Sequence, residues 1–114
     1  LWAGVIDVVG SITLANLISQ TKYNGILVAC GLAQNHDLPT NVMPFILRAI
    51  TLKGVESIYV ENEKRKLAWT NLSKYLNLKK LDELTTIHKF SELKLLAEEI
   101  IKGKIKGRCV IKIK

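Results

Sequence analysis

The side chains in this chain that could carry out chemistry are few, and they form no known catalytic motif. Cys30, Cys109 and two histidines lack the spacing of a zinc site. We expect both cysteines to be small packing residues, as free cysteine usually is, and we expect no disulfide between them. The chain also lacks a paired-carboxylate site, a nucleophile elbow, an HExxH helix and a phosphate-binding GxxxxGKS/T loop. The sequence therefore predicts no self-contained active site.

The glycines are the next candidates, because a GxGxxG turn after a first strand binds the pyrophosphate of a dinucleotide. Gly4, Gly10, Gly25 and Gly31 are spaced too widely to make that turn. If the chain takes part in nucleotide binding, we expect the pyrophosphate-binding turn to lie outside these 114 residues. The sequence starts without an initiator methionine, so we expect a piece of a longer protein. No signal peptide or membrane-length apolar run is visible, and we expect a cytoplasmic location.

The first half of the chain has the pattern of a parallel α/β sheet, which would position a ligand. Apolar, β-branched runs predict strands over Val5–Val9, Ile26–Cys30 and Leu52–Ser57, and such continuous runs indicate burial on both faces. A helix capped by Ser11 would connect the first two strands. A second helix, with Pro44 in its first turn, is apolar enough to be buried on most sides. Ligands bind beyond the carboxyl ends of such strands, so we expect a site there.

Charge is distributed unevenly along the chain. Residues 1–57 balance to zero, whereas residues 58–114 carry 14 basic and seven acidic side chains and thus the whole net charge of +7. This difference predicts a domain boundary near Ser57. Arg48 is the only charge on the second helix of the first segment, and two interpretations of it stay open. It could extend to solvent, or it could reach a ligand phosphate or an acidic partner.

The second segment has the pattern helix, strand, helix, strand. A helix begins near Glu61, a short strand is predicted over Thr85–His88, and another helix runs from a Ser91 cap to Gly103. From 102 to 114, basic residues alternate with Ile, Gly or Cys, which is typical of a half-buried strand with a basic outer face. That face is either a solvated surface or a nucleic-acid-binding module. The absence of neighbouring aromatic side chains weakens the second interpretation.

Three stretches resemble one enzyme family: WAGVIDVVG, GILVACGLAQNHDLPTNVMPFILRAITLKGVES and the terminal IKGKIKGRCVIKIK. They are similar to the last third of zinc-independent medium-chain dehydrogenases/reductases, in the quinone oxidoreductase and acryloyl-CoA reductase branch. The resemblance is most specific over Cys30–Ser57. It implies that 1–57 is the second half of a Rossmann-type parallel sheet. It also implies that 58–114 is a helix-strand-helix-strand return segment to a GroES-like domain.

The resemblance further implies a reaction and its cofactor. The branch transfers hydride between NADP(H) and the activated double bond of an enoyl-CoA, or a quinone, without a metal. By their positions, Leu38, Leu52 and Arg108 would contact NADP(H). The leucines would offer backbone or apolar contacts to the nicotinamide half, and Arg108 would offer charge-assisted hydrogen bonds. Cys30 and Gly31 would flank the nicotinamide, and the residues that assist hydride transfer would lie upstream, so no catalytic residue is assigned here.

The resemblance also bears on partners. In the superfamily, dimers pair their sheets at the edge formed here by Leu52–Ser57, and the Val5–Val9 strand would be a second, apolar edge. We therefore expect self-association, and we expect the chain alone to be inactive, with no membrane or nucleic-acid partner. One departure from the family is AQNHD, where relatives commonly have a glycine pair. This departure changes the shape expected for the loop near Leu38.

Overall fold

A computed structural model describes all 114 residues, which divide into two compact units. The first unit is Leu1–Val60 and the second is Glu61–Lys114. The boundary that the charge distribution predicts, near Ser57, lies a few residues before the boundary between the units.

The first unit is a three-stranded parallel sheet with two helices. Its elements, in chain order, are β1 (Trp2–Asp7), α1 (Ser11–Ser19), β2 (Thr21–Ala29), α2 (Met43–Arg48) and β3 (Thr51–Gly54). The strands lie in the order β1-β2-β3, with both neighbouring pairs parallel. The predicted α/β fold is confirmed.

The third strand is shorter than predicted, because it ends at Gly54 rather than at Ser57. Its last sheet hydrogen bond runs from the Val55 N–H to the Ala29 carbonyl, at 2.9 Å. Beyond it, the Glu56 carboxylate accepts hydrogen bonds from the backbone N–H groups of Ile58 and Tyr59. This side chain turns the backbone away from the sheet and so ends the strand.

The core lies on one face of the sheet only. Leu27 of β2 is fully buried and packs with Leu14 and Ile18 of α1 and with Ile50. A right-handed crossover at each connection in the order β1-β2-β3 puts both helices on that face. The prediction that the strands are buried on both faces is wrong within this chain, since Ile6, on the opposite face, is 78% exposed.

Helix α2 also differs from its prediction. None of its six residues is buried, and Ile46 and Leu47 are 71% and 66% exposed. A six-residue helix presents only one face to a neighbour, and here that face carries Phe45, which packs against the core. The apolar composition of the helix therefore does not translate into burial on most sides.

Arg48 forms hydrogen bonds within the chain rather than extending only to solvent. Its guanidinium donates hydrogen bonds to the carbonyls of Ser19, at 2.8 Å, and Ile18, at 3.4 Å. These carbonyls belong to the last turn of α1, where backbone acceptors lack partners within the helix. Arg48 thus caps α1 from the end of α2 and ties the two helices together.

The second unit contains three helices and a two-stranded parallel sheet. Its elements are α3 (Asn62–Tyr75), α4 (Leu78–Glu83), β4 (Thr85–Lys89), α5 (Leu93–Ile101) and β5 (Arg108–Lys112), with β4 paired to β5. The predicted strand at Thr85 is confirmed, whereas α4 was not predicted. The apolar stripe of α5 and the inner side of β5 line one small cavity, and no residue of this unit is buried.

The two ends of α5 compare differently with the predictions made for them. Gly103, at φ 67°, ends the helix as predicted, with its own N–H bonded to Ile100 and that of Lys104 bonded to Glu99. The alternation therefore forms a strand only over Arg108–Lys112, and the strand predicted over 102–114 is too long. Ser91 is not the cap either, because it lies inside a short 3-10 turn that precedes the helix.

The longest helix, α3, has 14 residues, and no helix combines the length and apolarity that a membrane span requires.

Candidate functional site

An open hollow lies at the carboxyl ends of β2 and β3, the edge at which the sequence predicts a site. Its volume is about 540 Å³, within the range of small-molecule sites. The hollow is lined by residues from the end of each strand: Ala29, Cys30, Gly31, Leu32, Gly54, Val55 and Glu56.

The hollow forms because β2 and β3 diverge at their carboxyl ends. Ala29 and Gly54 are the last paired residues of β2 and β3. One residue later, the Cys30 N–H bonds to the Asp7 carbonyl of β1, at 2.9 Å, while Glu56 leads the other strand away. Divergence of neighbouring strand ends leaves a crevice in which a ligand can contact backbone atoms.

The side of the hollow after Cys30 rests on the turn between β1 and α1. The N–H groups of Ala33 and Gln34 donate to the carbonyls of Val8 and Val9, at 3.2 and 2.8 Å. At Gly31 a Cβ atom would lie 2.6 Å from the Val8 carbonyl oxygen. Only glycine allows this approach, so Gly31 is needed first for backbone packing, a reason that the sequence alone did not suggest.

The AQNHD departure has a structural role in this loop. The Gln34 side-chain oxygen accepts hydrogen bonds from both the N–H and the hydroxyl of Thr13, at 3.2 and 3.1 Å. Thr13 lies in the first turn of α1, whose N–H groups have no partners inside the helix. Gln34 therefore caps α1 and fixes the start of the loop that leads to Leu38.

The lining of the hollow is mostly apolar and includes no cationic side chain. No lysine or arginine lines it, and its one charged side chain, Glu56, is engaged by backbone N–H groups. Such a lining fits an uncharged or delocalised ring such as a nicotinamide, which needs shape and backbone contacts. It does not fit phosphate groups, which need cationic or N–H donors.

The two cysteines differ from each other. Cys30 is exposed in the hollow, with its thiol 3.4 Å from the Asp7 carbonyl oxygen, so the prediction that it is a packing residue is wrong. It follows the last residue of β2, where the helices no longer cover the sheet. Cys109 is half-buried against α5, as predicted.

The three residues that the resemblance assigns to NADP(H) do not line the hollow. Leu38 is in the loop between β2 and α2 and is 40% exposed. Leu52 lies in the middle of β3 and packs against the core. Arg108 begins β5 in the second unit, is exposed, and donates its backbone N–H to the Leu84 carbonyl at 2.8 Å. Their contact with a cofactor stays a prediction.

Two further residues near the hollow, Gly54 and Asp7, were not identified as site residues from the sequence. Gly54 adds no side chain, and a Cβ atom there would meet nothing within 4 Å. Asp7 is 2% exposed at the end of β1 and accepts a hydrogen bond from the Gly10 N–H at 2.8 Å. An acidic residue inside a β-branched strand was the available signal for Asp7. Elsewhere, no group of three His, Cys, Asp or Glu side chains is placed to hold a metal ion.

Comparison with known proteins identifies relatives along nearly the whole chain, although no family model matches it. The chain is 42% identical over 113 residues to the probable acrylyl-CoA reductase AcuI of Escherichia coli K12, covering 99% of the chain and 35% of that protein. It is 34% identical over 116 residues to the putative quinone oxidoreductase YhfP of Bacillus subtilis, with 98% and 34% covered. The chain spans about a third of the length of these relatives.

The fold agrees with a solved relative. The YhdH oxidoreductase from Salmonella enterica, in complex with NADP, matches all of the chain and 35% of its own length, with a TM-score of 0.90 and 41% identity. Sequence and fold thus point to the same group of proteins. The chain is therefore similar, over nearly its whole length, to the C-terminal portion of medium-chain dehydrogenases/reductases in the branch of the quinone oxidoreductases and acrylyl-CoA reductases.

Proposed function

We propose that the chain is the cofactor-side portion of an NADP(H)-dependent oxidoreductase. The reaction would transfer hydride to the activated double bond of an acrylyl-CoA-like thioester or to a quinone. The observation that carries the proposal is the hollow at the ends of β2 and β3, in a chain that aligns throughout with a relative solved in complex with NADP. Its mostly apolar lining suits the nicotinamide, and because it has no cationic side chain we place the phosphates in another part of the protein.

In this proposal the cofactor, when bound, supplies the hydride. The chain's own residues bind and orient it: Cys30, Gly31 and Gly54 shape the crevice, and their backbone excludes water from one side of the ring. Leu38 and Leu52 contribute backbone or apolar contacts, and Arg108 contributes charge-assisted hydrogen bonds. No residue of the chain is assigned to proton transfer.

In this proposal the first unit contains the second half of the dinucleotide-binding domain, which the resemblance places at residues 1–57. The second unit contains the return segment toward the catalytic domain, which the resemblance places at residues 58–114. A pyrophosphate-binding turn is absent from the sequence, so the chain by itself should oxidise no NADPH. NADPH oxidation by the purified 114-residue chain would contradict this assignment.

The test uses the longer protein that contains this chain, with NADPH oxidation followed in the presence of acrylyl-CoA or a quinone. Gly54→Leu should raise the KM for NADPH by at least about tenfold, because the new side chain occupies the hollow. Gly54→Ala is the matched control. Its single methyl enters open space, so its KM should stay within about twofold of wild type. An unchanged KM in Gly54→Leu would overturn the assignment of the hollow.

A second pair of variants tests Arg108. Arg108→Ala should raise the KM for NADPH by about tenfold, the loss expected for one charge-assisted hydrogen bond. Lys112→Ala removes another exposed charge from the same face of β5 and should leave the KM unchanged. Equal effects in the two variants would show that only general electrostatic attraction is at work.

Assembly and nucleic-acid binding are separate questions. β3 is an edge strand of the sheet, and we propose that two copies of the full protein pair there. A monomeric mass in light scattering would contradict this. Nucleic-acid binding by the basic tail is not proposed, since the relatives are named oxidoreductases. In addition, Lys102 and Lys104 lie 3.7 and 3.6 Å from the carboxylate oxygens of Glu99.

A further inference from the structure

Asp7 is a buried carboxylate that the proposed function does not yet use. It is 2% exposed, and its Oδ2 accepts a hydrogen bond from the Gly10 N–H at 2.8 Å. Its other oxygen, Oδ1, is buried with no hydrogen-bond partner. A buried carboxylate oxygen without a partner lowers stability, and so packing alone does not account for an acid at this position.

The turn that Asp7 contacts has an unusual backbone. Gly10 has a φ of 77°, and the next residue, Ser11, has a φ of 50° although it is not glycine. A left-handed conformation is unfavourable for serine and persists only where the surroundings hold it. The hydrogen bond from Gly10 to the Asp7 carboxylate is a side-chain contact within this turn, and it acts directly on the residue before Ser11.

The same turn supports one side of the hollow. Gly10 forms an isolated parallel bridge with Asn35, and a Cβ atom on Gly10 would lie 2.6 Å from the Asn35 carbonyl oxygen. The carbonyls just before Gly10, those of Val8 and Val9, accept hydrogen bonds from the 31–35 segment. That segment begins with residues that line the hollow. A shift of the turn would therefore shift the lining.

We infer that Asp7 is a positioning residue. Its carboxylate fixes the turn between β1 and α1, and the turn fixes the 31–35 segment against which the nicotinamide ring is placed. This inference rests on the proposed function for its consequence in catalysis. Its structural part, the coupling between Asp7 and the 31–35 segment, can be measured without any substrate.

The experiment compares three variants of the longer protein that contains this chain. Asp7→Ala removes the acceptor, whereas Asp7→Asn retains one oxygen for the Gly10 N–H. Thr21→Val is the matched control. Thr21 is fully buried in the same unit, near the opposite end of the sheet, and its hydroxyl donates to the Leu17 carbonyl at 2.7 Å.

Two readouts separate positioning from general destabilisation. Hydrogen exchange at the Ala33 and Gln34 N–H groups should become at least about tenfold faster in Asp7→Ala and stay near wild type in Asp7→Asn and Thr21→Val. The KM for NADPH should rise about tenfold in Asp7→Ala alone, with kcat changed less. If Asp7→Ala does not fold, Asp7→Ser, whose hydroxyl is one bond short of the carboxylate position, takes its place.

The outcomes distinguish the inference from the function on which it rests. If Asp7→Ala and Thr21→Val change exchange and KM alike, or if Asp7→Asn behaves as Asp7→Ala, the positioning role is overturned. If the wild-type protein fails to oxidise NADPH both when acrylyl-CoA is supplied and when a quinone is supplied, the proposed function is wrong. The exchange rates at Ala33 and Gln34 still decide whether Asp7 fixes the segment.

Discussion

The two units of the chain are stabilised in different ways. The four buried hydrophobic residues of the chain, Leu14, Ile18, Leu27 and Ile50, all lie in the first unit. The second unit has no buried residue and carries the whole excess of positive charge. The first unit is therefore organised around a core, and the second around local hydrogen bonds and one apolar helix face.

This difference matters for the candidate site. The hollow is formed by strand ends that extend directly from the core, so sheet hydrogen bonds fix its lining, and the core residue Leu27 lies only two residues before Ala29 in β2. Arg108, in contrast, projects from a two-stranded sheet that covers no core. We expect the first unit to open only in large cooperative steps and the second to open locally.

The largest effect is expected in the core of the first unit. Leu27→Ala should lower the free energy of unfolding by about 2–5 kcal/mol, the cost of a cavity at a fully buried leucine. Ile87→Ala, at a position in β4 that is 72% exposed, should cost less than about 0.5 kcal/mol. Amide hydrogen exchange, followed separately for β2 and β4, measures both changes in the free energy of unfolding. Similar costs at the two positions would break the distinction between the units.

A smaller effect should follow from removing the cap that joins α1 and α2. Arg48→Met keeps the aliphatic stem but loses the hydrogen bonds to the Ser19 and Ile18 carbonyls, and should cost about 1 kcal/mol. Lys53→Met, on the exposed side of β3, is the control and should cost less than about 0.5 kcal/mol. Exchange of the α1 amides reports the loss, and equal exchange in the two variants would show that Arg48 caps nothing.

Much of the fold could be predicted from the sequence, because strand and helix patterns depend on local composition. The runs at Val5, Ile26 and Leu52 become parallel strands in that order, and Gly103 ends the helix that its position predicts. The place of the hollow also followed, since ligands bind beyond the carboxyl ends of parallel strands. These features need only the order of elements and the periodicity of apolar residues.

The predictions that were wrong concern features that depend on contacts between distant segments. Apolar composition does not reveal which face of a strand a helix covers, so Ile6 and α2 were expected to be buried and are exposed. Asp7 escaped because its role follows from a left-handed turn three residues later, which no periodicity indicates. The strand predicted over 102–114 was too long, because residues 102–107 form the connection between the end of α5 and the start of β5.

The smallest effect, and the one most specific to the second unit, concerns Glu92. The Lys89 N–H donates to its carboxylate at 2.8 Å, and this hydrogen bond, with His88 nearby, lowers the pKa of Glu92 below its ordinary value of 4.5. A lowered pKa in the folded state means that the contact stabilises the corner between β4 and α5 above about pH 4.5. The stabilisation is lost as the pH falls through the lower, folded-state value.

Exchange of the Lys89 amide should therefore lose protection, beyond the intrinsic pH dependence of exchange, as the solution is acidified below about pH 4.5, while the amides of β2 in the first unit keep theirs. Glu92→Gln retains an acceptor oxygen but cannot titrate, so its Lys89 protection should not change over the same range. A pH-dependent loss that persists in Glu92→Gln would assign the effect to another group. The local character of the second unit would then have to be explained without this carboxylate.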